Sequence, residues 1–233
     1  MGIIGGLSWE STAEYYRIVN EEVARRAGGL SSASLLLSSV DFSWYAAAMK
    51  AGRWEEIRDA LLAEARILAE GGAEAILVAS NTMHFCADEI AAATGLPFLH
   101  IADAAGRALR EAGAKRAGLL GTVFTMEKPF YREVLDLRHG IETLVPPPGE
   151  RREVDRIIFE ELCRGIQNEA ARVRLREVAL GLQRTGAEAI VLGCTELPLV
   201  MKEGDIGLRY FDTTRLHALA AVDFMLGRPD AGA

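Results

Sequence analysis

Two stretches of this chain repeat each other almost letter for letter. "GAEAILVASNTMH" runs from Gly72 to His84, and "GAEAIVLGCTELP" runs from Gly186 to Pro198. So long a period marks a duplicated lobe, not a solenoid of short repeats. Each copy is a short apolar run that ends in a polar triplet. The first triplet is Ser80-Asn81-Thr82 and the second is Cys194-Thr195-Glu196. Similar cores account for the repeated apolar runs. They do not account for the triplets, which fall at loop positions directly behind a buried strand, where function concentrates.

The flanking sequence repeats in order as well. "GIIGG" and "RAGLLGT" are strand-like runs that open the two halves. "ASLLLSSVDF", "EAILVAS" and "PFLHI" predict further strands in the first half, and "EAIVLGC" and "GLRYFDTT" in the second. Between them lie helical periods. In "STAEYYRIVNEEVARRAGG", Ser11 and Glu14 read as a capping box and Gly28 as a stop. "RWEEIRDALLAEARILAEGG" ends at Gly71 and Gly72. In the second half a helix is expected around "KPFYREVLDL". The Pro-rich "VPPPGE" then predicts a turn before the helices "EVDRIIFEELCRG" and "EAARVRLREVALGLQRTG". Alternating strands and helices predict the α/β class, with two similar lobes, each a mostly parallel sheet flanked by helices. The predicted first lobe is residues 1–100 plus 212–233, the second is 101–211, and the two are expected to be related by a pseudo-twofold with the active-site cleft between them. The last helix, "TTRLHALAAVDFMLG", is expected to pack back on the first lobe.

Composition narrows the function. The 233 residues are half apolar and a quarter charged, enough for one large domain or two small lobes. A net charge of −7 argues against a nucleic-acid surface, which needs clustered Lys and Arg. "MGIIGGLSW" lacks the basic region of a signal peptide, and no apolar run approaches a membrane span. Three widely spaced cysteines, Cys86, Cys163 and Cys194, fit a reducing compartment, so a cytoplasmic protein is expected. They have no Cys-x-x-Cys spacing, and His84, His100, His139 and His217 are scattered, so no metal site is expected. Cys86 and Cys163 read as core thiols. His84 reads either as a satisfied structural histidine or as a group that polarises the loop. "GGLS" lacks the spacing and the lysine of a phosphate cradle.

Parallel sheets bind ligands beyond the carboxyl ends of their strands, where Ser80 and Cys194 both fall. Two lobes facing each other would set these residues on opposite faces of one bound carbon. Such a pair can remove a proton from one face and return one to the other. A thiol titrates near pH 8.5, and backbone N–H groups behind Cys194 would bring a thiolate within reach. A serine hydroxyl is a far weaker acid. It can donate a proton or hold a water that does, but it carries no standing charge at neutral pH. The pair is therefore expected to be uneven, and to favour one substrate hand.

The residues now on the page resemble the aspartate/glutamate racemase family. The likeness spans "GIIGGLSWESTAEYY", "SVDF", "SNTMH", "PFLHIADA", "GLLGTVFTMEKPFY", "IIFEELCRG", "GCTELPL" and "FDTT". "SWEST" and "GCTE" point to the aspartate branch, because the glutamate branch carries a His where this chain has Glu196. The resemblance implies an amino-acid racemase of the aspartate or glutamate type with no cofactor, a small-molecule substrate and a homodimer. It implies two catalytic cysteines, one per lobe. Cys194 matches the second, and Ser80 stands where the first is usual. Asn81, Thr82, Thr122, Thr125 and Thr195 would hold the substrate carboxylate, although Thr125 could equally cap a helix. Leu7 belongs to a loop that would line the cleft. Met49 falls where acidic-substrate members place a polar residue. Arg164 either grips a side-chain carboxylate or simply ends a solvated helix. Two other readings stay open: a one-cysteine decarboxylase of the same superfamily, and a weakly catalytic binding form in which Ser80 is a lesion or an introduced replacement.

Overall fold

Short apolar runs bounded by glycine form strands in this protein, and the longer amphipathic runs form helices. The computed structural model describes residues 1–227. In chain order the elements begin with β1 (Gly2–Gly5), α1 (Trp9–Ala27), β2 (Leu36–Ser39), α2 (Phe42–Lys50), α3 (Trp54–Glu70), β3 (Ile76–Val78) and α4 (Ala87–Thr94). Next come α5 (Ile101–Glu111), β4 (Arg116–Gly121), α6 (Val123–Glu127), α7 (Pro129–Glu133), β5 (Glu142–Leu144) and α8 (Pro148–Glu160). The order closes with α9 (Glu169–Arg184), β6 (Ala189–Gly193), β7 (Arg209–Asp212) and α10 (Thr213–Met225). The chain divides into two units: Met1–His100 with the chain from His217 on, and Ile101–Leu216.

In the first unit the sheet order is β2-β1-β3, and both pairings are parallel. β1 and β3 are buried along their whole length, as strands covered on both faces must be. Ile4 and Val78 pack on Ile57, Leu61 and Ala65 of α3 and on Tyr45 of α2. Ile3 and Leu77 pack on the other side with Tyr15, Ile18 and Val19 of α1 and Ala218, Ala221 and Val222 of α10. In the second unit the order is β5-β4-β6-β7, again all parallel, over a core that includes Leu119, Tyr131, Val154, Leu175 and Val191. The class is α/β with parallel sheets flanked by helices.

Several local expectations are corrected. The first helix is capped by Ser8, whose side chain accepts from the Ser11 N–H, so Ser11 lies inside the helix and is no cap. "PFLHI" forms only a lone parallel bridge, Phe98 with Ile76, and no full strand. Pro97 has no N–H to donate, and α5 begins at Ile101. The turn expected at "VPPPGE" is already helix from Pro148, because the first helical position needs no N–H. The helix around "KPFYREVLDL" is a short α7 followed by a π turn over Val134–Arg138. α2, α5 and β5 go beyond the elements expected from the sequence; β5 is three residues long and little buried.

The turn after β1 depends on glycine. Gly6 has φ +81, and a Cβ there would sit 2.2 Å from the Val40 carbonyl oxygen. Its N–H donates to Thr12 Oγ1 at 2.8 Å, and that hydroxyl donates to the Ser8 carbonyl at 2.9 Å. This bond network carries the chain from β1 straight into α1. Gly204 also has positive φ (+88) but nothing within 4 Å of such a Cβ. Gly6→Ala should lower unfolding free energy by about 1–3 kcal/mol more than Gly204→Ala, because only the first adds a backbone overlap to the φ penalty. Urea denaturation of the two variants measures the difference, and equal losses would refute it.

Candidate active site

In the second unit, the parallel register sets Gly121 of β4 opposite Gly193 of β6. A Cβ on Gly121 would lie 2.8 Å from the Gly193 carbonyl oxygen, so the strand ends approach too closely for a side chain. The next residue on each strand is Thr122 or Cys194. Thr122 caps α6: its Oγ1 accepts from the Thr125 N–H at 3.2 Å and lies 3.1 Å from Thr125 Oγ1. Both threonines are buried. Thr122, not Thr125, is therefore the capping residue. Asp155 of α8 reaches the same turn and accepts from the Val123 N–H at 2.7 Å. Burial raises the Asp155 pKa above its ordinary value, and the Val123 bond opposes the rise.

Cys194 is 9% exposed. Its thiol donates to Glu196 Oε2 at 3.0 Å, and the Thr195 hydroxyl donates to the same oxygen at 2.7 Å. Burial pushes the thiol pKa well above its usual value. The charge of Glu196, the Cys163 sulfur and the hydrogen bond to Glu196 add to the rise, while the Glu196 backbone N–H opposes it. These effects work against the thiolate that the N–H groups behind Cys194 were expected to bring within reach. The turn behind Cys194 is a single 3-10 turn, Leu197–Leu199, too short to offset burial beside a carboxylate. Glu196, itself 7% exposed, is the residue of this cluster that the sequence showed only as a branch marker. An acid two positions after a cysteine at a strand end was the available signal.

In the first unit, Ser80 follows β3 and is half-buried, with its N–H on the Val78 carbonyl at 2.8 Å. Asn81 and Thr82 are buried at the start of a 3-10 turn, Thr82–Cys86. The Asn81 carbonyl accepts from the His84 N–H at 3.2 Å. His84 is 1% exposed, and its Nδ1 lies 2.7 Å from the Ser80 carbonyl oxygen. Leu7 is buried in the core with Ile4, and Met49 packs against that cluster. Arg164 is exposed, at the end of the 3-10 turn Leu162–Arg164.

The structure thus joins Ser80, Asn81 and Thr82 in one turn, Thr122 with Thr125, and Cys194 with Thr195 and Glu196. Leu7 and Met49 belong to the apolar packing of the first unit, and Arg164 to the surface of the second. Cys86 is buried, donates to the Met83 carbonyl at 3.4 Å and is pushed up to about 12 by burial, which makes it an inert core thiol. Among the described residues no group of three or more His, Cys, Asp or Glu could hold a metal ion, and no helix is long and apolar enough to cross a membrane.

The model of the Asp/Glu/hydantoin racemase family matches residues 4–221. A Yersinia pestis protein provisionally classed as an Asp/Glu racemase is 46% identical, and its crystal structure superposes at a TM-score of 0.90 over 97% of this chain and 98% of that one. An aspartate racemase homologue from Pyrococcus horikoshii OT3 is 33% identical at a TM-score of 0.81, over 96% and 97%. The aspartate racemase of Picrophilus torridus is 21% identical at a TM-score of 0.76, over 97% and 94%, a level that shows the fold alone.

The Cys194–Glu196 contact makes a signed prediction. Both the charge of Glu196 and the bond to it hold the proton on sulfur, so Glu196→Gln lowers the thiol pKa. Alkylation of Cys194 by iodoacetamide, followed by mass spectrometry across pH, should then begin at lower pH in the variant. An unchanged or higher onset would show that Glu196 does not hold this proton.

Proposed function

The chain belongs to the Asp/Glu/hydantoin racemase family, and from that premise we propose that it inverts the α-carbon of an amino acid, aspartate or glutamate foremost, by proton transfer between Cys194 and Ser80 without a cofactor. The observation that carries this reading is the Cys194 thiol, which donates to a carboxylate at 3.0 Å. Transfer of that proton to Glu196 leaves a thiolate and a neutral acid. The thiolate removes the α-proton from one enantiomer and becomes a thiol again. The Ser80 hydroxyl, or a water it holds, delivers a proton to the opposite face, and the proton on Glu196 passes through solvent to the oxygen that gave it up, which restores the start. Carbanion charge spreads into the substrate carboxylate, where the donors Asn81, Thr82, Thr122, Thr125 and Thr195 would receive it. Met49 and Arg164 are the candidates for side-chain choice, since a guanidinium suits a second carboxylate. A cytoplasmic homodimer acting on a small molecule completes the proposal.

The unevenness has a thermodynamic limit. A racemisation has an equilibrium constant of one, so kcat/KM is equal for the two hands. The difference between Cys194 and Ser80 can appear only in kcat and KM separately, and in α-proton exchange before inversion. One observation favours a second reading. The raised thiol pKa suits a proton donor to an enolate-like intermediate, the task of a one-cysteine decarboxylase.

Deuterium wash-in with each hand of aspartate, glutamate and several neutral amino acids separates these. We expect α-exchange, with kcat for the two hands differing by on the order of tenfold or more, and loss of about 10²–10⁴-fold in Cys194→Ala. Ser80→Cys should raise the slower kcat. Equal kcat values would refute the asymmetry. No exchange with any amino acid, together with carbon dioxide release from a malonate, would replace racemase with decarboxylase.

A further inference from the structure

His84 lies in the first unit, four residues after Ser80, and its ring is boxed. Its centroid is 5.4 Å from Phe98, 4.7 Å from His100 and 5.4 Å from His217, each at an edge-on angle. His217 is itself held: Nε2 lies 2.8 Å from the Leu99 carbonyl oxygen, and Nδ1 lies 2.8 Å from the Tyr15 hydroxyl. A carbonyl oxygen can only accept, so His217 carries its proton on Nε2, and in the neutral ring Tyr15 donates to Nδ1. The same logic applies to His84. Its Nδ1 faces the Ser80 carbonyl at 2.7 Å, so Nδ1–H is the donor. Three buried histidines in contact are an expensive way to fill a core, since each polar nitrogen needs a partner. Here the outcome is one short bond to the backbone of the residue whose side chain stands at the end of β3.

We propose that His84 is a positioning residue for Ser80: its Nδ1–H holds the Ser80 carbonyl and thereby sets where the Ser80 hydroxyl points. This rests on the two-group reading of function given above. Val78 accepts from the Ser80 N–H, and the Asn81 carbonyl accepts from the His84 N–H. Together with the His84 ring these bonds close a compact loop from Val78 to His84. Rotation of the Ser80 peptide changes the backbone angle at Ser80 and with it the setting of the side chain, and the Nδ1–H bond opposes that rotation. The bond from Nδ1 runs to the Ser80 backbone, so its loss should harm inversion, which needs Ser80, more than exchange on the face served by Cys194.

Two variants of similar polarity test this. Asn can place its amide N–H where Nδ1 sits, whereas Gln places its amide near Nε2. Each variant is assayed for deuterium wash-in with retention on the hand that Cys194 deprotonates, for inversion, and for amide exchange of the backbone over residues 80–86. In His84→Gln we expect inversion to fall on the order of tenfold or more with retention exchange held within about twofold, and faster amide exchange in the loop. In His84→Asn both should return to within about threefold of the parent. A parallel fall of inversion and retention exchange, or an Asn variant no better than Gln, would overturn the proposal, as would unchanged amide exchange in His84→Gln. A parent protein that exchanges no α-proton from any amino acid would instead sink the racemase reading, and the amide-exchange comparison would still decide whether His84 orders the Ser80 loop.

Discussion

The register between β4 and β6 is the constraint on which the second unit's site depends. Gly121 and Gly193 pair at the strand ends, closer than any side chain allows. That approach brings Thr122 and Cys194 out of the sheet side by side, at the carboxyl ends where parallel sheets bind ligands. A slip of β6 by one residue would send Cys194 to the other face. The threonine then starts a helix, capping it with its own hydroxyl, and the cysteine starts a single 3-10 turn that brings Glu196 back onto its sulfur.

Burial then settles the chemistry that register positions. A thiol in water is half ionised near pH 8.5, but desolvation and an adjacent carboxylate both favour the protonated form. Both act on Cys194, whose thiol donates to Glu196. The first unit meets the same need for order with neutral groups. Ser80 is met by a bond from a histidine ring to its own backbone carbonyl, and other rings pack on that histidine.

How much of this was legible follows from range. The strands β1, β3, β4 and β6 were legible because buried parallel strands read as continuous apolar runs between glycines. Ser80 and Cys194 were legible because duplication placed a polar triplet behind the same run twice. "PFLHI" misled because its apolar pattern says nothing of the missing Pro97 donor or of how soon α5 begins. The first cap was misplaced by three residues because Ser8 and Ser11 are both plausible caps. The Gly6 turn, a long-range fit against Val40, chose between them.

The sequence by itself determined the class, the duplicated order of elements, the family and the position of the two unlike residues. These rest on periodicity and on local residue identity, which a linear string carries in full. Only the tertiary structure decided the burial of Cys194, the contact of Glu196 with its thiol, the capping of Thr122 over Thr125, the apolar packing of Leu7 and Met49, and the bond from His84 to the Ser80 carbonyl. Each of these depends on where a side chain points and on what excludes water from it, and both are set by elements far apart in the chain.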